Sequence, residues 1–375
     1  MQLLSPYSYG INLAVASPAP PPAIVYSQGV HSKIEAWQQK STSQMTAIAN
    51  ELATKTWLKG TMWQIRWWDH ELSPGVFNKT KMEEYYAICA DRGKMCTFLL
   101  SYREFGVDVR NATESPTLPE DLLTISGTYS DGSAKYANMW AYKGFSVDAG
   151  GIYITKGYNH NLFDANLRTR WNAFVQYIAT HFDGRPYFAG IMFVESSAGD
   201  PLDGYVAGNS STNHYAGMLN LYIDSKAEFT KSQVIPDVNA TSTFINSMYA
   251  TPSGHALTYK LPWSTSNMFT ISTGNVALAQ SKTAALNGKL WIMSQIQAHD
   301  FQSIDGVIPG TQPTKEYLYL RARNTHVATH LYVQRNTPSS TPSNWGEFVA
   351  YMDASPYADD PFVGLSHVIP ENIIL

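Results

Sequence analysis

Short apolar runs in this sequence end repeatedly on groups that handle protons and hydroxyls. GTMWQIRWW closes on Arg66, Trp67 and Trp68 and leads into Asp69, His70 and Glu71. KMCTFLLSY leads into Ser101, Tyr102, Arg103 and Glu104, and GIMFVE ends on Glu195, with Ser196 and Ser197 next. QVIPDVN ends near Asp237 and Asn239. KLWIMSQIQ offers Gln295 and Gln297, with His299 and Asp300 just beyond. The last run carries His330 and Tyr332, then Gln334 and Arg335. Carboxylates move protons, amides and arginine bond hydroxyls, and aromatic faces stack on sugar rings. Together these residues form the inventory of a carbohydrate cleft.

Each residue also has a structural reading. Glu195 follows Ile191, Met192, Phe193 and Val194. That setting desolvates a carboxyl and raises its pKa, as a general acid near neutral pH requires. The other reading is a structural carboxylate held by Arg or backbone amides. Arg66 either keeps a catalytic carboxylate ionised or anchors Asp69 or Glu71. Trp67 and Trp68 alternate, so one faces the interior and the other packs under a helix. Trp140 and Trp263 lie in or beside loops, where sugar stacking and loop packing are both open. His326 and His330 stand four residues apart on a strand with no third ligand, so no metal is expected. A hydrogen bond to substrate suits His330 better.

The runs are placed by a repeating pattern. GTMWQIRWW, a Pro74-Gly75 turn, the helical stretch TKMEEYYAICADRG and KMCTFLLSY make a β-α-β unit. Thr80 is the expected cap of that helix and Gly93 its stop. HSKIEAWQQKSTSQMTAIANELATK and LFDANLRTRWNAFVQYIATHF also have helical spacing. Eight strands follow from the whole pass: YGINLAV, GTMWQIRWW, KMCTFLLSY, GIMFVE, QVIPDVN, NMFTI, KLWIMSQ and VATHLYV. Eight β-α units predict an α/β chain folded as a single (β/α)8 TIM barrel over residues 1–375. Residues 1–25, with SPAPPPA, form an extended lead-in. Residues 104–160, rich in Gly, Ser, Asp, Asn and Tyr, form a long irregular loop insertion after the third strand, one wall of the cleft. A doubly wound sheet is the alternative, but no G-x-G-x-x-G turn supports it.

Composition narrows the function classes. At 375 residues the chain buries a large core without a disulfide framework. Its 44% hydrophobic and 15% charged residues exclude a disordered chain. No apolar run is long enough to span a membrane. A net charge of −4 with no basic run argues against a nucleic-acid partner. Cys89 and Cys96, the two cysteines, read as buried structural thiols. There is no G-x-S-x-G elbow, H-E-x-x-H or phosphate loop, so no cofactor is expected. MQLLSPYSYG lacks signal-peptide features. Low charge and an aromatic content of 13% lean towards an extracellular or virion-associated setting.

Two segments resemble (β/α)8-barrel glycoside hydrolases of the clan A type. Residues 65–97, IRWWDHELSPGVFNKTKMEEYYAICADRGKMCT, are similar to the stretch from their second to third strand. Residues 170–195, RWNAFVQYIATHFDGRPYFAGIMFVE, resemble their unit ending on the acid/base glutamate. The resemblance implies a glycosidase with Glu195 as general acid/base and a carbohydrate substrate. The chain departs from the pattern twice. Val194 stands where the clan has Asn, and Gln295 and Gln297 occupy the strand that would carry a nucleophilic Glu. The second carboxylate is then Asp300, or Glu104 or Asp69 in an inverting or altered mechanism, or the site binds glycans without cleaving them. Arg66, Trp67, Asp69, Tyr102, Trp140, Asn239, Trp263, Gln297, His330 and Tyr332 are the candidates to hold sugar. An enzyme of another class on the same fold, such as a lyase, is a further alternative.

Overall fold

The computed structural model describes residues 28–34, 41–105, 118–147, 150–194, 198–205, 209–236, 259–261, 292–296, 314–324, 327–335 and 344–366. The chain opens with strand β1 (Gly29–Ile34), helix α1 (Thr42–Thr54) and strand β2 (Leu58–Arg66). A one-turn helix α2 (Trp67–His70) and a small hairpin, β3 (Glu71–Ser73) with β4 (Val76–Phe77), precede α3 (Thr80–Ala90) and β5 (Met95–Ser101). Then come β6 (Arg103–Phe105), β7 (Ile125–Thr128), β8 (Ala134–Tyr136), β9 (Met139–Val147) and β10 (Tyr153–His160). The chain continues through α4 (Ala165–Phe182), β11 (Phe188–Phe193), α5 (Ser211–Glu228), β12 (Gln233–Ile235) and β13 (Tyr259–Leu261). It closes with β14 (Ile292–Ile296), α6 (Lys315–Asn324), β15 (His330–Gln334) and α7 (Asn344–Ala354).

Eight of these strands form one sheet in the order β12-β11-β5-β2-β1-β15-β14-β13. Every pairing within it is parallel. Numbered along the chain, that is 5-4-3-2-1-8-7-6, the cyclic order of a (β/α)8 barrel. The first strand pairs with the last, Gly29 opposite His330 and Lys33 opposite Gln334. Curling is visible in one contact. The hydroxyls of Thr97 on β5 and Tyr332 on β15 lie 3.4 Å apart, although β2 and β1 separate their strands in the sheet. Both side chains therefore point into a common lumen.

Helices cover the outer face through aromatic contacts. Tyr85 of α3 stacks on Trp63 of β2, centroids 4.7 Å apart and 7° from parallel. Phe182 of α4 meets Phe98 of β5 edge-on at 5.0 Å. Such pairs add about 0.5–1.5 kcal/mol each beyond their area burial. Trp63, Ile65, Phe98 and Leu100 thus face helices, and the alternate residues Met62, Gln64, Thr97 and Leu99 face the lumen.

Several expectations are corrected here. Residues 31–34 are strand, not the start of a helix. β1 lies between β2 and β15 and is buried along its whole length. Its lumen-facing residues, His31 and Lys33, are the ionisable ones, while Val30, Ser32 and Ile34 face outward, which inverts the familiar polar-out alternation. The expected first strand, YGINLAV, and sixth, NMFTI, lie outside the described residues, and β13 stands in the sheet upstream of the latter. Thr80 does not cap α3. Asn78 Oδ1 accepts the Thr80 N–H at 2.9 Å, and Lys79 is the cap residue. Residues 104–160 are not one irregular loop: β6, β10 and β9 make an antiparallel sheet, and β7 and β8 a hairpin. Their Gly, Ser, Asp and Asn residues supply turns between short strands.

One glycine is fixed by close approach. Gly190 on β11 has φ +134°, and a Cβ there would stand 2.0 Å from the Gln233 carbonyl oxygen of the neighbouring strand. Gly190→Ala should cost at least about 3 kcal/mol, because strain and backbone overlap act together. Urea denaturation checks this, and a loss below about 1 kcal/mol would refute it.

Candidate active site

None of the eight sheet strands contains an aspartate or a glutamate. The chain's acids therefore stand outside these strands, and those just past the strand ends are the candidates for carboxylate chemistry. That is the face where barrel sites are built. Beyond β2 stand Asp69 and Glu71, in β6 stands Glu104, and Glu195 comes two residues after β11.

Arg66 is the last residue of β2 and is almost fully buried. Its Nε donates to Asp69 Oδ2 at 3.0 Å, across the turn of α2. Of the two anchoring choices open in the sequence, it takes Asp69. Just inside, Gln64 Nε2 donates to Ser101 Oγ at 2.8 Å, tying the ends of β2 and β5 together. The rim between these strands is thus a hydrogen-bonded polar edge with a half-exposed carboxylate at its outer end.

Deeper in the lumen, the His31 ring lies 5.1 Å from Tyr332 and 5.8 Å from His330. His330 Nδ1 is 2.8 Å from the Thr329 hydroxyl. Burial, with His31 nearby, holds the His330 pKa well below the ordinary imidazole value. Burial likewise pushes the Tyr332 phenol up. Both groups therefore stay neutral across physiological pH. His330 and Tyr332, expected on substrate, are fully enclosed and spend their polar atoms on the fold.

Three aromatic candidates are likewise corrected. Trp67 is completely buried, edge-on to Trp171 at 5.2 Å and stacked on Phe174 of α4, so of the tryptophan pair it is the one under a helix. Trp140 is completely buried against Tyr205 and His214, which is loop packing rather than an open sugar platform. Tyr102 is 1% exposed, and its hydroxyl donates to the Val194 carbonyl at 2.6 Å. It anchors the chain immediately before Glu195 instead of facing a ligand. The backbone of Glu104 pairs with Tyr158. Glu195, Asn239, Trp263, Gln297 and Asp300 lie outside the described residues, as does the Glu104 side chain.

The two segments that carry the family resemblance pack on each other. Glu71 Oε1 accepts the Gly75 N–H at 2.6 Å and Arg170 Nε at 2.9 Å, while Arg170 Nη2 reaches Asp121 at 2.9 Å. Arg170 holds the Asp121 carboxyl below its usual range. Phe77 lies on Phe174 and Tyr177, centroids 5.7 and 5.2 Å away. The Glu-x-x-Pro-Gly-x-Phe run is therefore a hairpin docked onto α4, and its acid is structural. Sequence reading missed the Glu71–Arg170 pair, whose members are 99 residues apart. It also missed His31, which the inverted alternation Val-His-Ser-Lys-Ile could have placed in the lumen.

Buried imidazoles set the acid limit of this architecture. His160, between Trp67 and Trp171, is held near a pKa of about 3 by burial alone. His70 is lowered by burial, against an opposing bond to the Asn78 carbonyl, and His330 behaves as above. In the unfolded chain each titrates near 6.5 and binds its proton first. Stability is thus full above pH 6.5 and is lost as pH falls from there, for His160 down to about 3, by up to ~1.4 kcal/mol per pH unit for each histidine. Urea titrations from pH 7 to 4.5 should show this slope, and His160→Gln should remove one proton's share of it. An unchanged slope in that variant would mean that His160 is protonated in the fold.

No family model matches the chain, and no curated protein matches it. Solved structures do. The catalytic domain of β-amylase from Paenibacillus polymyxa superposes with a TM-score of 0.56 at 7% identity, covering 83% of this chain and 92% of that one. A β-galactosidase from Rahnella sp. R3 gives 0.50 at 9%, covering 84% and 52%. Endo-glycoceramidase II from Rhodococcus sp. gives 0.49 at 13%, covering 82% and 73%. These structural neighbours are glycoside hydrolases, and at such identities the likeness is one of fold. The chain thus has the curled parallel α/β sheet found in glycosidase barrels.

Proposed function

We propose that the chain is a single (β/α)8 barrel, with residues 104–160 as its insertion after the third strand, and that it hydrolyses a poly- or oligosaccharide. The observation that supports this reading is the parallel strand order 5-4-3-2-1-8-7-6 combined with acid-free strands, and Glu195 stands in sequence two residues past the end of β11. Glu195 donates a proton to the departing glycosidic oxygen and then, as a carboxylate, takes one from water. Asp300, or Glu104 in its place, supplies the second carboxylate. Arg66 and Asp69 hold the edge of the sugar site, and Asn239, Trp263 and Gln297 are the further residues proposed to hold sugar. The working setting is extracellular or at a virion surface.

A second reading is favoured by one observation: the last lumen-facing residue of β14 is Gln295, an amide. A barrel that binds glycans without cleaving them would need no nucleophile there.

The test is reducing-end release by the wild-type chain across a broad glycan panel, with binding measured in parallel. Cleavage supports the hydrolase, and binding without cleavage supports the second reading. Neither binding nor cleavage of any glycan overturns both. If cleavage occurs, the anomeric form of the product reports the carboxyl spacing, since retention needs ~5 Å and inversion ~6.5–9.5 Å.

A further inference from the structure

Gln295 occupies a particular place in the lumen. Register partners on parallel strands project to the same face of a sheet, and Gln295 pairs with Tyr332. The Tyr332 hydroxyl reaches Thr97 across the lumen, so the Gln295 side chain points inward as well. One residue later the strand ends, at Ile296. Gln295 is fully buried, yet neither its Oε1 nor its Nε2 has a hydrogen-bond partner. Among the described residues it is the one amide whose oxygen and nitrogen are both shielded from solvent and unbonded. Its neighbours differ: Tyr332 and His330 each spend a polar atom on a threonine.

Buried amides are almost always bonded, and an orphan in a fold calls for a reason. Position supplies one here. The orphan lies at the C-terminal end of a barrel strand, where ligands are held. An amide carries an acceptor oxygen beside a donor nitrogen. That pair matches two neighbouring hydroxyls, one donating and one accepting. A carboxylate ligand could use only the nitrogen, and an ammonium only the oxygen. Three side-chain torsions let the amide swing from the last lumen position towards the rim. Since it holds no bond in the free protein, an arriving hydroxyl pair replaces none.

We propose that Gln295 is a ligand-binding group at the floor of the cleft that takes a pair of neighbouring hydroxyls of an uncharged sugar. This rests on the carbohydrate reading above and deepens it by naming the part of the sugar that is read.

The experiment compares the wild-type chain with Gln295→Met and Gln295→Leu, measuring thermal stability without ligand and affinity for neutral glycans from the panel. Removing an amide that the fold does not use should leave Tm unchanged or raise it by a few degrees. Removing a hydroxyl-binding group should weaken glycan binding by about tenfold to a hundredfold. Both results together support the proposal. Unchanged affinity in stable variants overturns it and leaves the carbohydrate reading intact. Variants that fail to fold, or melt many degrees lower, show that the amide serves the fold, which also overturns it. A wild-type chain that binds no glycan overturns the proposal and the carbohydrate reading together.

Discussion

Glu195→Gln should lower glycan cleavage by about 10²–10⁴-fold while leaving the fold and glycan binding in place, because general acid/base help is worth that much. The substitution is nearly isosteric, and it removes the group proposed to deliver a proton to the leaving oxygen. The variant is expected to stay folded. The strand before it is fixed by pairing with β5 and by the Tyr102 hydroxyl on the Val194 carbonyl, neither of which involves the Glu195 side chain. Reducing-end assays with circular dichroism and a binding measurement distinguish the cases. A variant that cleaves as well as wild type removes Glu195 from the mechanism. A variant that loses binding as well as cleavage makes it a recognition residue.

The largest stability effect is expected at Arg170. Its guanidinium is the charged partner of Glu71, whose side chain is wholly shielded from solvent. Arg170→Ala leaves that carboxylate buried with the Gly75 N–H as its remaining hydrogen-bond donor, and also strips a cation from the face of Trp67. Breaking one side of a buried pair costs about 3–5 kcal/mol. Glu71→Gln in the Arg170→Ala background should recover part of that loss, since the neutral amide still accepts from Gly75. Urea midpoints for the two single variants and the double variant measure the coupling. A loss below about 1 kcal/mol in Arg170→Ala would falsify the assignment of this pair as the clamp between the hairpin and α4.

Much of the frame was legible because its strands are apolar runs between helical periods. β5 and β12 fall within expected strands, β2, β11 and β14 overlap them, and α3 and α4 fall within expected helices. β1 was not legible, because a strand whose lumen face is polar resembles the polar side of a helix. The antiparallel strands between β5 and α4 were hidden for a different reason. Their pairing depends on turns, and turn-rich composition reads as loop. At the candidate site, the sequence singled out which residue types gather at the strand ends, but not which way they face. Trp67, Trp140 and Tyr102 sit beside the rim in sequence and behind it in space, since an aromatic ring serves packing and sugar stacking equally well until its neighbours are known. Arg66 and Asp69 were more tractable, because a buried cation demands a partner and the nearest acid lies one helical turn away.

The acid-free strands carry a consequence for how such a protein can change over time. On the proposed mechanism, selection on the frame acts on one set of positions and selection on proton transfer on another. A lineage could therefore lose, relocate or regain its catalytic carboxylates without disturbing the sheet that holds the barrel together. Cleavage and mere recognition of a glycan become neighbouring states of one scaffold, separated by a few connector residues rather than by a refolded core. A substitution map of this chain should accordingly show most tolerance for folding at the connectors, the Glu71 hairpin apart, and least along the strands, Gln295 apart.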